Sequence, residues 1–364
     1  MKEKEVVAYK GNYRKFIIIY FFISIILLAI CAGFVIYIDP FYHYHAPLGK
    51  MKLIQEKEAY QNVGIARNCE YDAILTGSSM TENFRASQFN KLFGCNTIKL
   101  PFAGGMVENY EILFNEAFKN DKIKIKKVFY GCDLPTYIAS KDAIVNNKIP
   151  NYLYDDNIFT DVKYVLNKKV IFDYVYSYIK CNKQNLVPDN DYAYVWYQWY
   201  TFSKNETLKT YSRPQKQEKQ AVDKYKENIL ENCERIGKYI KENPETEFNI
   251  FFPPYSILFY DMHSRNGDLE AVINGQEMLA EYLIQFSNVK LSAFSTEKDI
   301  ICNLDNYKDY SHYSEKINEY IAEEMKRESK LLNKDNYKEY FSNAREFFMN
   351  YNYDEIFYWW RNKC

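Results

Sequence analysis

The chain has 364 residues, with 47 Lys and Arg against 48 Asp and Glu and a formal net charge of -1, so it carries no basic field of the kind nucleic acid selects. Its 36 Tyr and 25 Phe leave aromatic area for a cleft or a carbohydrate-facing surface, although core and cap packing can absorb the same residues. The eight cysteines lack Cys-x-x-Cys spacing, which argues against a zinc or redox motif.

Residues 1–15 carry Lys2, Lys4, Lys10, Arg14 and Lys15 and read as a cytoplasmic tail. Residues 16–38 are apolar apart from Ser24, close to the ~20 residues needed to span a bilayer, and predict a transmembrane helix. Basic residues before the span and few after it predict a cytoplasmic N-terminus, with everything from Asp39 onward extracellular. Residues 39–68 are expected to form a linker that opens with interfacial aromatics and two prolines, Pro40 and Pro47. His43 and His45 stand two apart without further ligands, so they read as a solvated loop feature; no metal and no cofactor is assigned.

From here helices alternate with apolar strands, which predicts an α/β fold over 69–135 and 221–330. Strands are expected at Ala73–Leu75, Asn96–Phe102, Lys127–Leu134, Glu247–Phe252 and Val289–Phe294. Phe84, Phe89, Leu92 and Phe93 make an apolar helical stripe closed by Gly94. The alternation lapses over 136–220, where Tyr192 to Tyr200 reads YAYVWYQWY. This stretch is expected to be an inserted helical cap, either a self-packed lid or a sugar-binding surface. Residues 331–364 form an expected C-terminal helical tail with Phe347, Phe348, Phe357, Trp359 and Trp360, able to cover the core or meet the membrane. In a doubly wound sheet Cys69 and Cys95 precede neighbouring strands at the same end, which gives one disulfide hypothesis.

The chemistry centres on YDAILTGSSMTENF, residues 71–84, in which an apolar strand runs into Gly77-Ser78-Ser79 and then toward a helix. A serine at a strand-to-helix junction is exposed to substrate, and the free amides of a helix's first turn can hold an oxyanion. An isolated Gly-x-Ser also marks ordinary turns, so Ser79 needs a partner. Asp309-Tyr-Ser-His312 supplies one: three residues of spacing place a carboxylate on one imidazole nitrogen while the other faces a hydroxyl. The alternative is a surface histidine beside a helix capped by Ser314. Asn83, a few residues past Ser79, and Tyr255, after the double proline that ends the fourth strand, are candidates for a substrate pocket.

Gly77-Ser78-Ser79-Met80 resembles the first block of the SGNH (GDSL-like) hydrolases, and Asp309-Tyr-Ser-His312 resembles their last block. The chain is most similar to membrane-anchored members, the DltD-like proteins and the acyltransferases of exported polysaccharides. The resemblance implies a three-layer flavodoxin-like fold around a central parallel sheet. It also implies Ser79 as nucleophile, His312 as base and Asp309 as orienter. The amides of Ser79 and Gly105 would form the oxyanion hole, and Gly105 is equally explained as a turn glycine. The family's Gly-x-Asn-Asp block is absent; Gly131-Cys132-Asp133-Leu134 stands at the comparable place, which makes Asp133 a third pocket candidate. Implied partners are a cell-surface glycopolymer and a membrane-bound O-acyltransferase. The implied activity is an esterase or O-acyltransferase working through an acyl-serine, with a non-catalytic glycan-binding or scaffolding protein as the alternative.

Overall fold

A computed structural model describes residues 2–120, 123–141, 143, 148–155 and 157–358. The chain divides into two units, Met1–Ile54 with Pro150–Val187 and Gln55–Ile149 with Pro188–Cys364.

The first unit is built on one helix, Lys2–Ile38, which includes the expected tail. Its Tyr13–Ile38 portion is 26 residues with a mean hydropathy of 2.8, long and apolar enough to cross a membrane. Most of its side chains are exposed, but Val35 and Ile38 are buried. The helices Val162–Val165, Val170–Tyr174 and Val175–Lys183 pack against it. The stretch after the helix, expected as an open linker, folds around one carboxylate: Asp39 accepts the amides of His43 at 3.0 Å, Tyr44 at 2.7 Å and His45 at 3.0 Å, and the Tyr164 hydroxyl at 2.8 Å. Phe41 stacks on the Tyr164 ring with centroids 5.2 Å apart.

The expected cap over 136–220 is therefore not one body. Its 150–187 part belongs to the unit of the apolar helix, and the part from Pro188 belongs to the α/β unit. Aromatic crowding is alike in both halves, but a buried phenol needs a hydrogen-bond partner, and Asp39 supplies one to Tyr164.

The second unit is a mixed α/β structure around a six-stranded sheet in the order β2-β1-β3-β4-β5-β6. The strands are β1 Ala73–Thr76, β2 Thr97–Lys99, β3 Lys127–Gly131, β4 Glu247–Phe252, β5 Val289–Ala293 and β6 Leu331–Leu332. The first five pair in parallel, and β6 runs antiparallel on β5. Successive strand residues face opposite sides. Phe129 meets Phe89 and Phe93 of helix Ala86–Phe93, whereas Tyr130 meets Tyr110 and Phe114 of helix Val107–Phe118, so helices cover both faces. Cover on both faces buries the polar strand residues Thr76, Lys99 and Asn249 along with the apolar ones.

Several boundaries differ from expectation. Edge strand β2 is three residues long rather than the seven of Asn96–Phe102, although Leu100 and Phe102 still donate to Leu75 and Gly77 carbonyls at 2.8 Å. The two-residue β6 was not expected, because so short a strand has no period to read. The tail's helix Tyr337–Asn350 packs on helix Leu269–Leu283, and Phe348 stacks on Tyr260 at 3.6 Å, so this part covers the core. Trp359 and Trp360 lie outside the described residues. Cys69 and Cys95 are thiols, not the hypothesised disulfide. Cys69 is buried, while the Cys95 sulfur turns to the Thr97 hydroxyl at 3.2 Å and the Phe89 carbonyl at 3.7 Å.

Candidate active site

The segments that follow β1, β3, β4 and β5 carry Ser79, Asp133, Tyr255 and the Asp309–His312 loop, the edge where parallel sheets of this kind hold ligands. Gly77 makes the turn out of β1 at φ 145, a region that L side chains rarely adopt. A Cβ there would lie 2.6 Å from the Thr81 methyl and 3.0 Å from the Gly131 carbonyl oxygen. Ser79 does not open a helix as expected. It sits in a tight turn, with Thr81 N–H on the Ser78 carbonyl at 2.9 Å and Phe84 N–H on the Thr81 carbonyl at 3.3 Å, and helix Ala86–Phe93 begins only afterwards.

The Asp309–His312 loop is fixed from both flanks. Tyr307 and Tyr313 form an antiparallel bridge, and the Lys308 amide donates to the His312 carbonyl at 3.1 Å. The Tyr307 hydroxyl donates to the Pro254 carbonyl at 2.7 Å, and Asn318 Nδ2 donates to the Met80 carbonyl at 2.9 Å, next to the serine turn.

These constraints bring together residues 233 positions apart: Ser79 Oγ lies 2.8 Å from His312 Nε2. The other ring nitrogen, Nδ1, is 2.9 Å from Asp309 Oδ2 and 3.0 Å from Oδ1. Asp309 also accepts the His312 amide at 2.8 Å, the Ser311 amide at 2.9 Å and the Lys308 ammonium at 2.9 Å. Burial pushes the Asp309 carboxyl up, but the hydrogen bond and charge of His312, its amide and Lys308 outweigh burial and hold the carboxyl well below the usual carboxylate range. An ionised Asp309 on Nδ1 fixes the tautomer in which Nε2 accepts the serine proton.

A carboxylate beside a histidine is not rare in this chain. His43 Nε2 is 3.3 Å from Asp161, and His263 Nδ1 is 2.9 Å from Asp268. The latter pair escapes an Asp-x-x-His pattern because its acid lies five residues downstream. Among the described residues only His312 joins a carboxylate on one nitrogen to a serine on the other.

No protein-family model matches the chain, and no curated protein matches it.

The oxyanion donors are fewer than expected. The Ser79 amide has no acceptor among the described residues, so it is available. Gly105 is not: its N–H donates to the Phe102 carbonyl at 2.7 Å and closes the turn after β2, which corrects the expectation. Asp133 is buried and its Oδ1 accepts the Tyr255 hydroxyl at 2.5 Å, so the two pocket candidates face each other rather than an open cleft. Burial raises the Asp133 carboxyl against the lowering effect of Ser78 and Tyr255. Asn83 is also buried; its Oδ1 accepts the amides of Trp196 at 3.1 Å and Tyr197 at 3.2 Å, so it anchors the aromatic segment instead of facing substrate.

That anchoring positions a residue the sequence does not reveal. The Trp196 indole donates from Nε1 to the Ser79 carbonyl at 3.0 Å, and its ring stands edge-on to the His312 ring at 5.3 Å. Lys308 Nζ lies 4.9 Å from the Trp196 ring centroid and 4.2 Å from that of Tyr200, linking cation, carboxylate and indole. Trp196 also lines a cleft of about 990 Å³ with Trp199, Tyr194, Tyr60, Glu58 and Glu82. Burial, and then the adjacent Glu58 carboxyl, raise Glu82. The aromatic segment is held to the body by Lys99, which is fully buried and donates to the carbonyls of Glu82 at 2.8 Å, Asp191 at 3.2 Å and Ala193 at 2.8 Å.

Proposed function

We propose that this protein is a membrane-anchored, extracytoplasmic serine esterase or O-acyltransferase of SGNH type with a flavodoxin-like fold, acting on acyl groups of a cell-surface glycopolymer. The single observation that carries the reading is the Ser79–His312–Asp309 line, with 2.8 Å and 2.9 Å links at the carboxyl edge of a parallel sheet. In the proposed reaction His312 Nε2 takes the Ser79 proton while Oγ attacks the acyl carbonyl, and Ser79 N–H donates to the resulting oxyanion. The imidazolium returns its proton to the leaving oxygen as the carbonyl reforms, leaving an acyl-serine and a free alcohol. His312 then deprotonates a polymer hydroxyl or water, which displaces the acyl group and restores Ser79. The cleft beside Trp196, walled by aromatic rings and the carboxyls of Glu56, Glu58 and Glu82, suits a sugar face and supports a glycopolymer as acceptor. The apolar Tyr13–Ile38 helix supports anchoring, with the N-terminus cytoplasmic and the α/β unit outside, where a membrane-bound O-acyltransferase would be the partner.

A non-catalytic glycan-binding or scaffolding role is the second reading. Two observations favour it: the Gly105 amide is committed to Phe102, and Asp133 is enclosed by Tyr255. Incubation of the full chain in lipid nanodiscs with a fluorophosphonate probe discriminates between the two. Labelling of the native chain but not of Ser79→Ala supports the enzyme; a native chain that stays unlabelled supports the scaffold.

A further inference from the structure

We propose that residues 157–186 form a second membrane contact, a collar seated in the lipid headgroup layer around the exit of the apolar helix. The proposal rests on the reading of Tyr13–Ile38 as a bilayer span. Helices Val162–Val165, Val170–Tyr174 and Val175–Lys183 pack against that helix, where Val35 and Ile38 are buried while Phe34 and Tyr37 stay exposed. Inward, Tyr164, Val170, Val175 and Tyr178 are buried. Outward, the segment does not turn polar: Phe159 is 83% exposed, Ile158 75%, Phe172 66%, Tyr176 63% and Val162 50%. Phe172 and Tyr176 are four apart on one helical run and share a face.

The occupant of this surface is lipid rather than protein for two reasons. First, the helices that carry the face pack on the apolar helix in the same unit, and beside the buried Val35 and Ile38 that helix itself keeps Phe34 and Tyr37 exposed. Second, the apolar side chains are interspersed with exposed Lys163, Lys168, Lys169, Lys180 and Lys183, set against Asp161 and Asp173. Lys169 Nζ lies 5.9 Å from the Tyr174 ring centroid and Lys180 Nζ 5.9 Å from that of Tyr176, so apolar rings and cationic tips alternate over the same surface. Aromatic and aliphatic groups flanked by lysines are what an anionic headgroup layer accepts, with the apolar face sunk roughly 5–10 Å and the ammonium groups reaching for phosphate. Asp161 is turned away from that layer, because it is occupied by the Tyr44 hydroxyl at 2.9 Å and by His43 at 3.3 Å.

The test places the fluorescent amino acid dansylalanine, one site at a time, at Phe159, Phe172, Ile25 and Leu230 of the full chain in phosphatidylcholine and phosphatidylglycerol vesicles. One set of vesicles carries a nitroxide near the glycerol end of the acyl chain; another is probed with aqueous iodide. Ile25 reports insertion of the span, and Leu230, exposed on helix Lys226–Glu242, is the water-facing control. The expected result is loss of most emission at positions 159 and 172 with the nitroxide lipid and little loss with iodide, the reverse of position 230. If position 25 is shielded from iodide but 159 and 172 respond to iodide alone, the collar is overturned and the span stands. If 159 and 172 are shielded from both quenchers, protein covers the face and the collar is again overturned. If position 25 itself responds to iodide, the span and the collar fall together.

Discussion

The indole of Trp196 donates to the main-chain carbonyl of Ser79 at 3.0 Å while its ring edge meets His312, so one side chain holds both ends of the serine–histidine pair. A tryptophan there acts by positioning, since it touches neither the serine hydroxyl nor a carboxylate. Trp196→Phe keeps the ring and removes one donor, a net contribution of about 1 kcal/mol, so the rate of fluorophosphonate labelling should fall about fivefold to tenfold. Trp196→Ala removes the ring as well and should slow labelling further. An unchanged rate in both variants would show that the indole has no bearing on Ser79.

Asp309 is the second test of the same line. Asp309→Asn keeps the shape but leaves an amide on His312 Nδ1, which no longer enforces the tautomer that accepts the serine proton. Labelling should drop by about 10³-fold at neutral pH while the circular dichroism spectrum is retained. A loss under tenfold would place the acid outside the mechanism.

Asp309 also makes a signed prediction about pH and stability. Its folded pKa lies below the ordinary value, so between the folded pKa and about 4 the unfolded chain binds more protons than the native one. The stabilisation is therefore complete above about pH 4 and is lost as pH falls further. In urea titrations the native chain should lose stability relative to Asp309→Asn as pH is lowered from about 5 to about 2.5. A gap between the two that stays constant over this range contradicts the assignment.

Lys99 gives a structural test with its own readout, stability. Its ammonium satisfies carbonyls of Glu82, Asp191 and Ala193, which ties the serine turn to the aromatic segment. Lys99→Met fills the space but orphans those carbonyls, and should destabilise the α/β unit by about 3 kcal/mol in denaturant unfolding. Labelling of Ser79 should fall along with it, because Trp196 loses its support. A variant as stable as the native chain would mean that water replaces the ammonium without loss.

Gly77 sets the corner itself. Gly77→Ala must relieve both φ 145 and the close approach to Thr81 and Gly131, at an expected destabilisation of about 2–3 kcal/mol. Thermal unfolding measures it, and a shift near zero would show that the turn can be rebuilt.

How much of this the sequence conveys depends on how local each cause is. Strand Glu247–Phe252 was legible in full because Phe248, Ile250, Phe251 and Phe252 are apolar and Pro253-Pro254 stops the chain directly after them. Asp309 and His312 were legible because three-residue spacing is local chemistry, and Ser79 because a glycine turn after a strand is too. Trp196 and the Glu58–Glu82 pair were not: each owes its role to groups brought close only by the fold, 117 positions away for Trp196 and Ser79. Gly105 misled because a glycine after a strand looks the same whether its amide closes a turn or awaits a ligand. The cap misled for a related reason, since tyrosines and phenylalanines crowd both halves and nothing in their spacing tells which half goes with which unit.

The pairing of Asp39 with Tyr164 also fixes an order of events during synthesis. The carboxylate at the exit of the apolar helix waits for a hydroxyl made 125 positions later, after the first three strands have been translated. The contacts around Asp39 therefore cannot close before Tyr164 has been made, and the nascent chain must keep that carboxylate hydrated until then.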